Sequence, residues 1–116
     1  FVYPSIWDEG FGISVVEAMA RGCIPITFNK GGLPEIINNG ENGFLIDNIN
    51  SEELAQKILE LILNNDKEIN KIVEKAVRTS NRYTIDVTIS DLKREYSKLL
   101  KWVDESGKNS NNSIKL

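Results

Sequence analysis

Apolar positions follow two rhythms along this chain. Up to Ile46 they come in short runs: Phe1-Val2-Tyr3, Ile24-Pro25-Ile26-Thr27-Phe28 and Phe44-Leu45-Ile46. Such runs, β-branched or aromatic and bounded by Pro, Gly and Asn, predict strands, the first of them stopped by Pro4-Ser5. Between the first two, Ile13 to Ala20 predicts a helix that ends before Gly22, the residue type best suited to the position just past a helix. Gly31-Gly32-Leu33-Pro34-Glu35 and Asn39-Gly40-Glu41-Asn42-Gly43 predict a loop and a turn. From Asn50 onward the rhythm is helical. Leu54, Ile58, Leu61 and Ile62 form one stripe behind a capping-box-like Asn50 and Glu53, and Ile69, Ile72, Val73, Ala76 and Val77 form a second. Ile85, Ile89, Leu92, Tyr96, Leu99, Leu100 and Val103 form a third.

Short strands alternating with helices predict an α/β fold with a parallel, Rossmann-like three-layer sheet. The packed part is expected over residues 1–105. Ser106 onward offers nothing to bury, so 106–116 is expected to be a disordered tail.

Composition narrows the chemistry. The 116 residues hold 14 basic and 17 acidic side chains, one cysteine and no histidine. A framework disulfide within the chain is excluded, as are an imidazole base and the common zinc sites. Residues 1–66 carry a charge of -7 and residues 67–116 carry +4. The mixed signs of the second half suit solvated helix faces rather than a nucleic-acid surface. No apolar run approaches the roughly 20 residues that span a bilayer, and a cytoplasmic location is expected.

The chemistry-bearing segment is Asp8-Glu9-Gly10-Phe11-Gly12-Ile13-Ser14-Val15-Val16-Glu17. A helix N-terminus presents unpaired N–H groups and a partial positive charge, which attract phosphate. Glycines at 10 and 12 let a ligand approach the backbone. Glu17, in a helix otherwise apolar on nearly every side, is expected to be largely buried and so to need an internal donor or a ligand bearing hydroxyls. It lies about 8 Å along the helix axis from Gly12, so Glu9 and Glu17 could hold opposite ends of one nucleotide sugar. The same residues also suit a plain strand-to-helix turn with a structural carboxylate.

Together with Glu17-Ala18-Met19-Ala20, Gly22-Cys23-Ile24-Pro25-Ile26, Gly31-Gly32-Leu33-Pro34-Glu35-Ile36 and Gly40-Glu41-Asn42-Gly43-Phe44-Leu45-Ile46, this segment resembles the C-terminal donor-binding domain of retaining family-four glycosyltransferases of GT-B fold. The resemblance implies transfer of a hexose from a nucleotide-diphosphate sugar to an acceptor hydroxyl with retention and without a metal or other cofactor. It implies that Glu9, the first carboxylate of the pair, is the catalytic residue and contacts hydroxyls of the transferred sugar. Gly10, Phe11 and Gly12 would form the donor turn, Glu17 would bind the ribose, and Gly31 and Gly32 would lie near the donor.

It further implies an N-terminal domain of the same polypeptide, which would supply the basic phosphate ligands, so that this segment alone is inactive. The acceptor would be a saccharide or a lipid-linked molecule, with peripheral contact at the inner membrane face. Tyr96 and Trp102 are expected in core or interdomain packing, Cys23 as a small buried hydrophobe and Lys30 as a surface lysine. Glu35 is equally suited to pinning its loop or touching a ligand. Two other classes compete: a non-catalytic nucleotide-binding or partner-docking module, and a glycosidase acid pair.

Overall fold

The computed structural model describes residues 1–63 and 66–111. Three strands, β1 (Val2–Tyr3), β2 (Ile26–Phe28) and β3 (Phe44–Ile46), form one parallel sheet in that order. Tyr3 pairs with Thr27, and Ile26, Thr27 and Phe28 pair with Phe44, Leu45 and Ile46. The helices are α1 (Ile13–Ala20), α2 (Leu33–Ile36), α3 (Ser51–Leu63), α4 (Asp66–Ser80) and α5 (Ile85–Asn111), with a 3₁₀ turn at Asn81–Tyr83.

The three-layer arrangement follows from strand alternation. Ile26, Phe28, Phe44 and Ile46 face Leu54, Ile58 and Leu61 of α3. Tyr3 and Leu45 face the other way, onto Val15, Val16 and Met19 of α1, Leu33 and Ile36 of α2, and Ala76 of α4. With side chains buried on both faces, the strands need no polar alternation, as expected of a parallel sheet covered by helices.

Two helix ends behave as the residue types dictate. Gly22, at φ +77°, closes α1: its N–H donates to Met19 O and that of Cys23 to Ala18 O, both at 3.0 Å. This is the paired closure that favours glycine. Asn50 Oδ1 accepts from the Glu52 and Glu53 N–H groups at 2.8 and 3.4 Å. The other half of the expected box is absent, because Glu53 Oε1 accepts from the Asn48 side chain instead.

Four expectations are corrected. The loop after Gly32 contains a one-turn helix, α2, which tolerates Pro34 because the first-turn N–H groups have no intrahelical acceptor. Cys23 is half-buried rather than buried. Tyr96 and Trp102 are exposed, as are Leu92, Leu99 and Val103 of the same helix, which excludes the core for them and leaves only the interdomain alternative. Helix α5 continues through Asn111, so the expected tail from Ser106 begins as helix, while its residues 112–116 lie outside the described residues.

The chain divides into two units, Phe1–Tyr83 and Thr84–Leu116. All the sequence-predicted site residues belong to the first. Among the described residues no helix is long and apolar enough to cross a membrane.

Candidate functional site

In a parallel sheet the carboxyl ends of the strands open onto loops that can converge. Here the loop after β1, which carries Glu9 to Gly12, meets the loop after β2, which carries Lys30 to Gly32. The Gly32 N–H donates to Glu9 O at 2.7 Å. A Cβ on Gly31 would stand 2.5 Å from Glu9 N and 2.8 Å from Asp8 C, and one on Gly32 would stand 2.6 Å from Gly10 O. Both neighbours are backbone, so these glycines are what allow the loops to touch. Gly31 also sits at φ +54°, a region costly to residues with a Cβ. Lys30, half-exposed, lies 4.0 Å from Asp8 across the same junction.

Gly12 completes the corner at φ +84° and precedes α1 without a side-chain cap. Its missing Cβ leaves room for Leu33 Cδ2, which would otherwise stand at 2.6 Å, so the starts of α1 and α2 are packed together. Gly10 is different: it is exposed, and nothing lies within 4 Å of where its Cβ would be. Phe11 packs edge-on against Tyr83 at 5.1 Å between ring centres, and the Tyr83 hydroxyl donates to Glu35 O at 3.5 Å. The 3₁₀ turn thus braces the corner from behind through a ring and the Glu35 backbone. Glu35 itself is exposed, and Trp7 is 76% exposed.

Glu9 is half-buried, and its Oε1 accepts from the Tyr3 hydroxyl at 2.5 Å. Accepting that bond, Glu9 pushes the Tyr3 phenol above the usual tyrosine range, helped by partial burial and by the carboxylate's charge; Ser14 and Ser5 pull weakly the other way.

Glu17 overturns its expectation: it is exposed. Helix α1 buries only Val15, Val16 and Met19, and Ile13 on its outer side is 66% exposed, so the helix's apolar composition does not translate into burial all round. Glu17 instead lines an open cleft of about 680 Å³ with Ser14, Arg21, Cys23 and Phe1. Among the described residues nothing pairs with its carboxylate. It therefore needs no internal donor, and it remains available to an external one.

The structure brings Glu9, Gly10, Phe11, Gly12, Gly31 and Gly32 into one corner and sets Glu17 in a cleft on the same helix. Two side chains with structural weight escaped the sequence reading. Tyr3 reads only as a strand residue until Glu9 folds back onto it. Asn42, 2% exposed, donates to Ile36 O at 3.0 Å and Thr79 Oγ1 at 2.9 Å, and accepts from the Asn38 N–H at 2.8 Å. It ties the turn before β3 to α4. Among the described residues no three His, Cys, Asp or Glu side chains converge as metal ligands.

Comparison with known proteins places this corner in context. The model of the family described as glycosyl transferases group 1 matches residues 1–79. The chain is similar to a glycosyltransferase from Rickettsia africae, with 35% identity and a TM-score of 0.77 over 86% of this chain and 27% of that one. It is also similar to Anabaena Alr3699/HepE, solved in complex with UDP-glucose, with 30% identity and a TM-score of 0.72 over 84% of this chain and 26% of that one. The uncharacterized glycosyltransferase MJ1178 of Methanocaldococcus jannaschii is 36% identical over 93 residues, which are 79% of this chain and 26% of that protein. These solved neighbours are GT-B glycosyltransferases, and the chain spans about a quarter of the length of each of the three relatives.

Proposed function

The chain belongs to the glycosyl transferases group 1 and corresponds to a C-terminal piece of such enzymes; from that premise we propose that it forms the donor side of a retaining, metal-independent hexosyltransferase. The donor is a nucleotide-diphosphate sugar and the acceptor a hydroxyl on a saccharide or lipid-linked molecule. No cofactor beyond the donor is required. The observation that carries the proposal is the junction of the two glycine loops, which holds Glu9 at one side of the α1 N-terminus while Glu17 lines an open cleft further along the same helix.

In this reading Glu9 is the catalytic residue, accepting a hydroxyl of the transferred hexose. Glu17 accepts from the ribose diol. The backbone around Gly10, Phe11 and Gly12, with that of Gly31 and Gly32, faces the diphosphate, whose charge suits the α1 N-terminus. The bond from the anomeric carbon to the diphosphate oxygen breaks, and a bond from that carbon to the acceptor oxygen forms on the same face. The acceptor proton passes to the departing diphosphate. The protein supplies position and electrostatics to a transition state with oxocarbenium character. Residues 1–116 alone are inactive, because the acceptor side and the cationic groups for the diphosphate come from an N-terminal domain of the same polypeptide.

The test is donor turnover by the full-length polypeptide, read as nucleoside diphosphate release from UDP- and GDP-hexoses, with product configuration read by the anomeric proton coupling. Glu9→Ala and Glu17→Ala are each expected to lower kcat/KM by at least about 100-fold, a loss on the order of 2.7 kcal/mol of transition-state stabilisation. Wild-type kinetics in both variants, or an inverted product, would overturn the proposal.

A further inference from the structure

Tyr3 ends β1 and is held there by the sheet: it pairs with Thr27, packs against the core beneath α1 and stacks on Phe1 at 6.1 Å. From this fixed position its hydroxyl donates to Glu9 Oε1 at 2.5 Å. The Glu9 backbone is fixed independently. Its N–H donates to Trp7 O at 3.0 Å, and its carbonyl accepts from Gly32 at 2.7 Å. What remains free in Glu9 is the side chain, and Tyr3 Oη is the group that holds it.

On the reading that Glu9 receives a hydroxyl of the transferred sugar, we infer that Tyr3 is a positioning residue: it occupies Oε1 of Glu9, fixes the carboxylate's rotamer and leaves Oε2 as the oxygen offered to the sugar. A glutamate without such an anchor distributes among several staggered rotamers and must be ordered as the substrate reacts. An anchor on a strand end pre-orders it, as a supporting residue does best when its own place is set by packing. A tyrosine phenol keeps its proton at neutral pH in any case, and Glu9 holds this one further above the usual tyrosine range.

The experiment is a double-mutant cycle in the full-length polypeptide with Tyr3→Phe, Glu9→Gln and the two combined. Each is assayed by nucleoside diphosphate release on whichever of UDP-glucose, UDP-galactose, UDP-N-acetylglucosamine and GDP-mannose the wild type turns over fastest. Tyr3→Phe keeps the ring and removes one oxygen. It is expected to lower kcat by about 10- to 100-fold, the scale of a misplaced reacting group, with donor KM within about threefold. The combined variant is expected to match Glu9→Gln alone, because there is then no carboxylate to position.

A purely structural tyrosine would instead give a kcat loss that multiplies with that of Glu9→Gln. That result, or wild-type kcat in Tyr3→Phe alongside a defective Glu9→Gln, overturns the inference and leaves the reading of Glu9 standing. Wild-type kcat in Glu9→Gln, or no donor turned over by the wild type, overturns that reading and the inference with it.

Discussion

Replacing Gly31 by alanine isolates what the loop junction contributes. The new methyl group would stand 2.5 Å from Glu9 N and 2.8 Å from Asp8 C, where ordinary carbon contacts need at least 3.4 Å, so one loop must retreat by nearly 1 Å. Neither neighbour is a side-chain tip that can rotate away. The φ of +54° adds about 1 kcal/mol for any residue with a Cβ. Overpacking of this kind costs about 1–3 kcal/mol, and loosening the Gly32 to Glu9 hydrogen bond costs about 1 kcal/mol more. The sum is about 3–5 kcal/mol, a large part of the stability of an ordinary domain.

Gly10→Ala is the internal control, since its Cβ meets nothing within 4 Å and its φ is not positive; its effect is expected within about 0.5 kcal/mol. Equilibrium urea unfolding followed by circular dichroism separates the two. An unfolding free energy for Gly31→Ala within about 0.5 kcal/mol of wild type would refute the reasoning, and so would a Gly10→Ala as damaging as Gly31→Ala.

Other consequences are equally concrete. Asn42→Ala removes three hydrogen bonds and leaves the buried Ile36 carbonyl unpaired, so it should cost about 2–4 kcal/mol in the same urea assay; a loss below about 1 kcal/mol would contradict the account of that turn. Gly22→Ala meets Val73 only at an ordinary 3.6 Å and so should cost just the left-handed backbone term, about 1 kcal/mol. The raised phenol of Tyr3 makes its bond to Glu9 a stabilising contribution that is present below the unfolded tyrosine value of about pH 10 and lost as pH rises through the higher folded value. Unfolding midpoints measured from pH 8 to 11.5 should therefore fall more steeply for wild type than for Tyr3→Phe, and parallel curves would contradict this. Lys30→Gln breaks only a 4.0 Å exposed pair and should change stability by less than about 0.5 kcal/mol.

The parts of this fold that could be read from the sequence are those set by near neighbours. Ile26–Phe28 and Phe44–Ile46 are strands because uniformly apolar β-branched and aromatic runs suit a sheet covered on both faces. Gly22 and Asn50 end and begin helices through bonds to residues two to five positions away. What was not legible depends on distant partners. Asn42 reaches Thr79 across 37 positions. Gly10, Gly31 and Gly32 look alike in the sequence, yet only the last two are pressed against another backbone. Glu17 appeared buried because α1 is apolar in composition, whereas burial depends on which stripe finds a neighbour, and only Val15, Val16 and Met19 do. The exposed apolar side chains of α5 follow the same rule: periodicity fixes the helix and its stripe, and contacts decide its burial.

The central claim is that Glu9 and Glu17 grip opposite ends of one donor. Calorimetric titration of the full-length polypeptide with the nucleotide sugar that the wild type turns over fastest and with its nucleoside diphosphate alone, repeated for Glu9→Gln and Glu17→Gln, tests it most directly. The account predicts that Glu17→Gln weakens both ligands by a similar factor, whereas Glu9→Gln weakens the nucleotide sugar and leaves the nucleoside diphosphate unchanged. Equal effects of the two variants on the nucleoside diphosphate, or its undiminished binding in Glu17→Gln, would contradict it.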